Sequence, residues 1–378
     1  MTRYLHSYFI KRSALLIGVV FAGLSLVLFP TLASAQVVPP FEVLVVGDSH
    51  ISGQGLRDKN KFYVLVNEWL KSDVFGTTRK VNLKVKAHAG SRISMHPQDL
   101  RDMKEAGDDI NTFHYLEANL SSPSILAQID IARKEYENPG SVNLVMLSGC
   151  ITDVLVADII NPFYPEKRLR ERIKRFCGES MSGLLEHTAA SFPNAQVVVV
   201  GYSPIFSSKS DIKSMLRYFF KIISFPPKLQ FVLTNPLSRQ FLKPLRNRMA
   251  TRSRIWLTES NREIRNAIAK LNAGRDRPRA FFVESPITEE YSYATKKSLL
   301  WEIGKNHLPN DETYDERKVG CAKVFGEMKY QHYGKLSTRM CELSSVAHPN
   351  VEGSKAFAEA IKNTLKKDKF NSQQTLAN

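Results

Sequence analysis

The sequence predicts an α/β protein, a three-layer α/β/α sandwich around a five-stranded parallel sheet, and three observations lead there. Apolar, mostly β-branched runs recur at residues 43–46, 142–147, 197–200 and 280–283. Each is short and bounded by turn residues, as buried strands are. Between them lie segments with helical spacing at 62–70, 124–136, 169–191 and 259–271, and strands alternating with helices imply a parallel sheet covered on both faces. The first run also stops at Gly47, which lets the chain turn sharply at the carboxyl end of a strand, where open α/β sheets place their ligands.

Along the chain, Arg3, Lys11 and Arg12 precede an apolar run over 14–29 and then Ala33-Ser34-Ala35. A charged start, an apolar stretch and a small-residue cleavage site describe a signal peptide over residues 1–35, shorter than the roughly 20 apolar residues a membrane helix needs. The expectation is a secreted or periplasmic protein with one domain over 36–378. Residues 81–88 alternate with period two and end at Gly90, as a second strand would. Residues 99–109 are polar and read as a loop, and Asn138-Pro139-Gly140 ends the helix before the third strand. After the fourth strand the alternation breaks. Residues 204–258 form a basic, aromatic insertion that carries Phe225-Pro226-Pro227 and Asn235-Pro236 and is expected to be several short helices. The fifth strand follows at 279–284. Residues 291–344 read as an irregular second insertion, and 356–365, after residues 348–353, as a closing amphipathic helix.

Charge is concentrated in one place. Loss of residues 1–35 takes the net charge from +16 to +13, and segment 204–258 holds eleven Lys and Arg against Asp211 alone. Its interleaved cations and large aromatics suit an anionic membrane surface, where apolar groups enter the headgroup boundary and cations stay with phosphates. An ordinary surface insertion, its aromatics packed on the domain, fits the same composition. The four cysteines, Cys150, Cys177, Cys321 and Cys341, permit disulfides in an exported chain, in three connectivities. Pairing of sequence neighbours, Cys150 with Cys177 and Cys321 with Cys341, is expected because each closes a short segment. No C-x-x-C and no paired-histidine spacing suggests a metal.

Gly47-Asp48-Ser49-His50 lies between the first strand and a helical pattern, so the Ser49 hydroxyl stands at the mouth of a cleft. Ordinary turn chemistry would explain the tripeptide alone, but three later blocks extend it: Gly90 after the second strand, Cys150-Ile151-Thr152-Asp153 after the third, and Ser345-Val346-Ala347-His348 before the last helix. In these blocks, in this order, the chain resembles the SGNH (GDSL-type) hydrolases, a superfamily of serine esterases and lipases. The resemblance implies a flavodoxin-like fold, Ser49 as nucleophile, His348 as general base, and an oxyanion hole from the Ser49 and Gly90 amides with Thr152 at the third position. It implies no cofactor and no metal, and an ester substrate, possibly a lipid. A nucleic-acid partner is not expected of an exported chain with such a cleft.

Three positions depart from the family pattern. Thr152 stands where the family has Asn, Cys150 where it has Gly, and Ser345 where it has the Asp that orients the histidine. A backbone carbonyl, Glu342 or Asp153 could orient His348 instead. The losses leave a second reading open, a weak or inactive binding protein on the same scaffold for anionic membrane or polymer surfaces.

Overall fold

The computed structural model describes residues 38–222, 236–304, 306, 308–327 and 335–367; the signal-peptide reading of 1–35 lies outside them. Five strands, β1 (Phe41–Val46), β2 (Val81–Val85), β3 (Val142–Leu147), β4 (Gln196–Val200) and β5 (Ala280–Val283), form one sheet in the order β2-β1-β3-β4-β5, with every neighbouring pair parallel. This is the flavodoxin-like order, and its switch point falls between β1 and β3, whose carboxyl ends open a crevice. The residues that end β1 and β3, Gly47 to Ser49 and Ser148 to Asp153, therefore meet there.

Helices α1 (Phe62–Trp69), α2 (Pro97–Ala106), α3 (Ile125–Glu135), α4 (Glu166–Ile173), α5 (Met181–Ser191), α6 (Ile212–Ile222), α7 (Pro236–Asn272), α8 (Tyr314–Glu327), α9 (Lys335–Glu342) and α10 (Val351–Lys367) surround the sheet. Helix α1 packs on α10, while α3 and α7 both pack on α5. Residues 43–46, 144–147 and 197–200 expose nothing on either side, so both faces are covered and the three layers are complete. Each such Val, Leu or Met contributes about 1.5–3 kcal/mol relative to an exposed position.

Three segments differ from their sequence reading. Residues 97–106 form helix α2 rather than a loop. Pro97 opens it, the His96 side chain caps it by accepting from the Gln98 N–H, and Met103 is its one buried residue, so there is no apolar stripe for periodicity to find. Segment 204–258 is not a set of short helices ending before a separate one at 259. Its second half and residues 259–271 are one 37-residue helix, α7, with Pro244 inside it. Asn235-Pro236 marks its start, where the missing N–H of proline costs nothing. The described aromatics of this segment turn inward: Phe206 and Trp256 are buried, and Tyr218 packs on Tyr293. Phe225 and Phe231 lie outside the described residues. Segment 291–344, read as irregular, carries α8 and α9, joined by the Cys321–Cys341 disulfide.

Helices α4 and α5 join through a π-helical stretch, Lys174–Ser180. Cys177 within that stretch is bonded to Cys150, which fixes the long helix to the turn that follows β3. None of the described helices is long and apolar enough to cross a membrane.

Candidate active site

The Ser49 turn is built by the strand ends. Gly47 has φ +143°, and a Cβ there would come 2.4 Å from the Ser148 carbonyl oxygen, so only glycine can pass between the ends of β1 and β3. Buried Gln128 on α3 holds it. Its Oε1 accepts from the Gly47 N–H (2.8 Å), and its Nε2 donates to the Gly47 carbonyl (3.1 Å) and to Ser91 Oγ (2.9 Å). Asp48 caps the single helical turn Ser49–Ser52 by accepting from the His50 N–H (3.1 Å). It also accepts from the Ser148 hydroxyl (2.6 Å) and the Tyr202 hydroxyl (2.7 Å). Burial raises the Asp48 carboxyl above its ordinary range against the pull of these three bonds.

His348 approaches from the loop before α10, and its Nε2 lies 2.8 Å from Ser49 Oγ. The loop is fixed by its backbone. Trp301 donates to the His348 carbonyl (2.8 Å), Ala347 donates to the Trp301 carbonyl (3.0 Å), and His348 donates to the Ser345 carbonyl (2.9 Å). Ala347 sits at φ +69°, a left-handed conformation that costs a non-glycine residue about 1–3 kcal/mol and tends to mark functional turns. Burial pushes the imidazole down to about 4, helped by His50 and Arg317 and opposed by Asp48 and the Ser345 carbonyl. The ring is therefore neutral near pH 7, the state a general base requires.

The other imidazole nitrogen, Nδ1, is buried and makes no hydrogen bond of ordinary geometry among the described residues. Neither Glu342 nor Asp153 orients it. The Glu342 carbonyl accepts from Arg317 Nε (3.1 Å), and Asp153 Oδ2 accepts from the Ile93 N–H (3.1 Å). Ser345 faces elsewhere too. Its hydroxyl donates to Asp311 (2.6 Å) and accepts from Arg317 Nη2 (2.9 Å). Arg317 also binds Glu117 and Asp311 (2.9 and 2.5 Å), and the Arg317 and Asp311 side chains have no exposed surface. A carboxylate at 345 would add a third acid around one buried cation, which accounts for serine there.

The oxyanion positions are partly rearranged. Gly90 has φ +83°, and a Cβ there would strike the Leu120 amide nitrogen (2.5 Å) and Asn119 Oδ1 (2.7 Å). Gly90 is buried and does not itself line the cleft, which Asn119 and Thr152 share with Ser49 and His348. The Thr152 hydroxyl donates to the Ser91 carbonyl (2.5 Å), so its proton is already committed. Cys150 has φ +101°, a region that favours glycine, and the bond to Cys177 holds it there. The cleft, about 220 Å³, has an apolar wall that includes Ile151, Leu155, Val156, Ile205, Leu300 and Val346. Pro204 and Tyr218, from the start of the basic segment, also line it.

The structure thus brings Ser49 and His348 into contact, sets Thr152 beside them with its hydroxyl turned away, and places Gly90 against Asn119. Gln128, Tyr202, Ser148, Asn119 and the Arg317 cluster escape sequence reasoning. Ser148, directly after a strand, carried the best available signal; Gln128 and Tyr202 reach the Gly47–Asp48 turn across 81 and 154 residues, and Arg317 reaches Ser345 across 28. Among the described residues no group of three or more His, Cys, Asp or Glu side chains could hold a metal ion.

No protein-family model and no curated protein matches the chain. Solved structures similar to it include an extracellular lipase from Streptomyces rimosus (13% identity, TM-score 0.43, covering 86% of this chain and 99% of that one). Others are a phospholipase A1 from Streptomyces albidoflavus (11%, TM-score 0.43, 86% and 99%) and a family two carbohydrate esterase from Clostridium thermocellum (9%, TM-score 0.40, 87% and 65%). At these identities and scores they stand as similarities only, and the chemistry of the site rests on its own geometry.

Proposed function

We propose that the protein hydrolyses carboxylic esters through an acyl-serine at Ser49. The observation that carries this reading is the 2.8 Å contact between Ser49 Oγ and His348 Nε2, made by an imidazole that burial keeps neutral. A serine hydroxyl is a poor nucleophile unless a neutral base takes its proton during attack. His348 takes the Oγ proton as the Oγ–acyl bond forms, and returns it to the leaving alkoxide as the ester bond breaks. Water then attacks the acyl group by the same route in reverse, releasing the acid and restoring Ser49.

Charge on the carbonyl oxygen needs donors. The Ser49 amide, which donates to no protein acceptor among the described residues, is the first, whereas Gly90, expected as the second, does not line the cleft. With the Thr152 hydroxyl committed to Ser91, the third role passes to the Asn119 carboxamide, which lies in the cleft against Gly90. The apolar wall suits an acyl chain. With the Ser345 carbonyl rather than a carboxylate acting on the ring, the base is weaker than in a full triad, where loss of the carboxylate's correct pairing costs about 10⁴-fold in kcat, so turnover is slow. The same lack of a carboxylate beside the imidazole favours the second reading, a binding protein that retains the cleft without the reaction.

The two disulfides support export to an oxidising compartment, and exposed Lys209, Lys243 and Arg248 support contact between the basic segment and anionic lipid. Assay of short- and long-chain p-nitrophenyl esters with the native protein and Ser49→Ala separates the readings. Faster hydrolysis by the native protein supports the hydrolase; equal background rates support the binding protein.

A further inference from the structure

A second cavity, about 640 Å³, opens beside the cleft and is lined by Arg92, Arg168, Arg172 and Arg175, with Glu171 and Asp153 as its carboxylates. Helix α4 supplies Arg168 and Arg172, and the π-helical stretch supplies Arg175. These guanidinium groups are only partly engaged by the fold. Arg92 and Arg172 reach Asp99 and Asp158 only at 3.8 and 3.7 Å, and Arg172 Nε is buried with no partner among the described residues. Arg168 and Arg175 are exposed and form no ion pair among the described residues; Arg175 rests on the Phe176 ring at 5.2 Å. Burial pushes the Asp153 carboxyl up to about 7, so near neutral pH much of its charge is absent and the cationic excess is larger than a count of side chains suggests.

The cavity and the cleft share a wall. The turn Ile151–Val154 gives Thr152 to the cleft and Asp153 to the cavity, and consecutive Cα atoms lie only about 3.8 Å apart. Arg172 Nη2 donates to the Asp153 carbonyl (2.5 Å), and the Cys150–Cys177 bond ties the two sides of this wall together. Arginine presents a planar fork of donors that matches the oxygens of carboxylate, sulfate or phosphate. We propose that this cavity holds an anionic group of the same ester substrate whose carbonyl lies at Ser49, so that the enzyme prefers esters bearing a phosphate, sulfate or carboxylate. This inference deepens the ester-hydrolase reading and rests on it for the link to Ser49, but not for the anion site.

The test pairs Arg168→Gln/Arg175→Gln, both exposed positions, with the native protein, after thermal melts show equal folding. Inorganic phosphate is titrated calorimetrically into each. Hydrolysis of neutral p-nitrophenyl butyrate is then compared with that of mono-p-nitrophenyl glutarate, which carries a free carboxylate. The native protein is expected to show a KM about 10-fold lower for the anionic ester, competition by phosphate, and loss of the KM ratio in the double variant. An unchanged ratio in the variant, or no preference in the native protein, overturns the proposal. Phosphate binding without any ester preference also overturns it, and assigns the cavity to free anions. If neither ester is hydrolysed, the ester-hydrolase reading fails by itself. The anion site then stands if phosphate binding is present and weakened by the double substitution, and falls if binding is absent or unchanged.

Discussion

The turn that carries Ser49 and the loop that carries His348 meet at 2.8 Å, yet they are stabilised in different ways. At the Ser49 turn the residues before the serine are fully engaged: Gln128 takes both polar groups of Gly47, and Asp48 accepts three hydrogen bonds. At the His348 loop the backbone is anchored to Trp301, but no carboxylate pairs with the buried imidazole Nδ1. The carboxylates nearest Ser345 serve Arg317 instead. A nucleophile held by the strand ends of the sheet can stay fixed while the base that serves it is rebuilt on an added segment. The reaction then depends on backbone placement of the imidazole rather than on a carboxylate.

The harshest way to break this comparison is to remove either partner. Ser49→Ala and His348→Ala should each lower kcat/KM for a p-nitrophenyl ester to background. In serine hydrolases with a full triad such losses are about 10⁴-fold or more, and the weaker base here leaves less to lose. If His348→Ala retained most of the rate, the loop would be packing and not catalysis. Arg317→Met tests how the loop is held. It leaves the buried Asp311 and Glu117 carboxylates without their cation, and a denaturant melt should show a loss of about 3–5 kcal/mol. A change within about 0.5 kcal/mol would show that the cluster does not support the loop.

Smaller effects sharpen the oxyanion assignment. Asn119→Ala should cost about 10²–10³ in kcat, whereas Thr152→Val, which removes only a hydroxyl already bound to Ser91, should change kcat by less than about threefold and lower stability by about 0.5–1.5 kcal/mol. The reverse ranking would return the third donor to Thr152. The pH profile gives the smallest effect. As the proposed base, His348 acts when neutral, and burial pushes it down to about 4, so kcat/KM should hold through pH 6 and fall only as pH drops toward 4. An acid limb centred near 6.5, the ordinary imidazole value, would mean that the ring is not withdrawn from water. The sign for stability follows the same shift. Between about pH 6.5 and 4 the unfolded chain binds a proton at this site that the folded chain refuses, so the imidazole's contribution to stability is lost as pH falls through that window.

The central strands were legible because they are buried on both faces, which makes runs such as residues 197–200 continuous and unmistakable. Helix α2, with one buried residue, and helix α7, with a proline at its start and another inside, carry no comparable signal. In the site, Gly47 and Gly90 were legible because close backbone approach demands glycine at both. Cys150 hid the same demand at φ +101°. The polar partners were not legible, since Gln128, Tyr202 and Arg317 reach their targets from distant parts of the chain, and a hydrogen bond between remote residues leaves no spacing to read. The family pattern suggested an oxyanion role for Thr152, but only the fold reveals that its hydroxyl faces Ser91.

Covalent labelling with a fluorophosphonate tests the central claim most directly, because the probe reacts only with a serine whose proton a base removes. Intact mass and peptide mapping should show one adduct on the native protein, at Ser49, absent from Ser49→Ala and strongly slowed in His348→Ala. A native protein that takes up no probe at Ser49, or that labels equally fast without His348, would contradict the account.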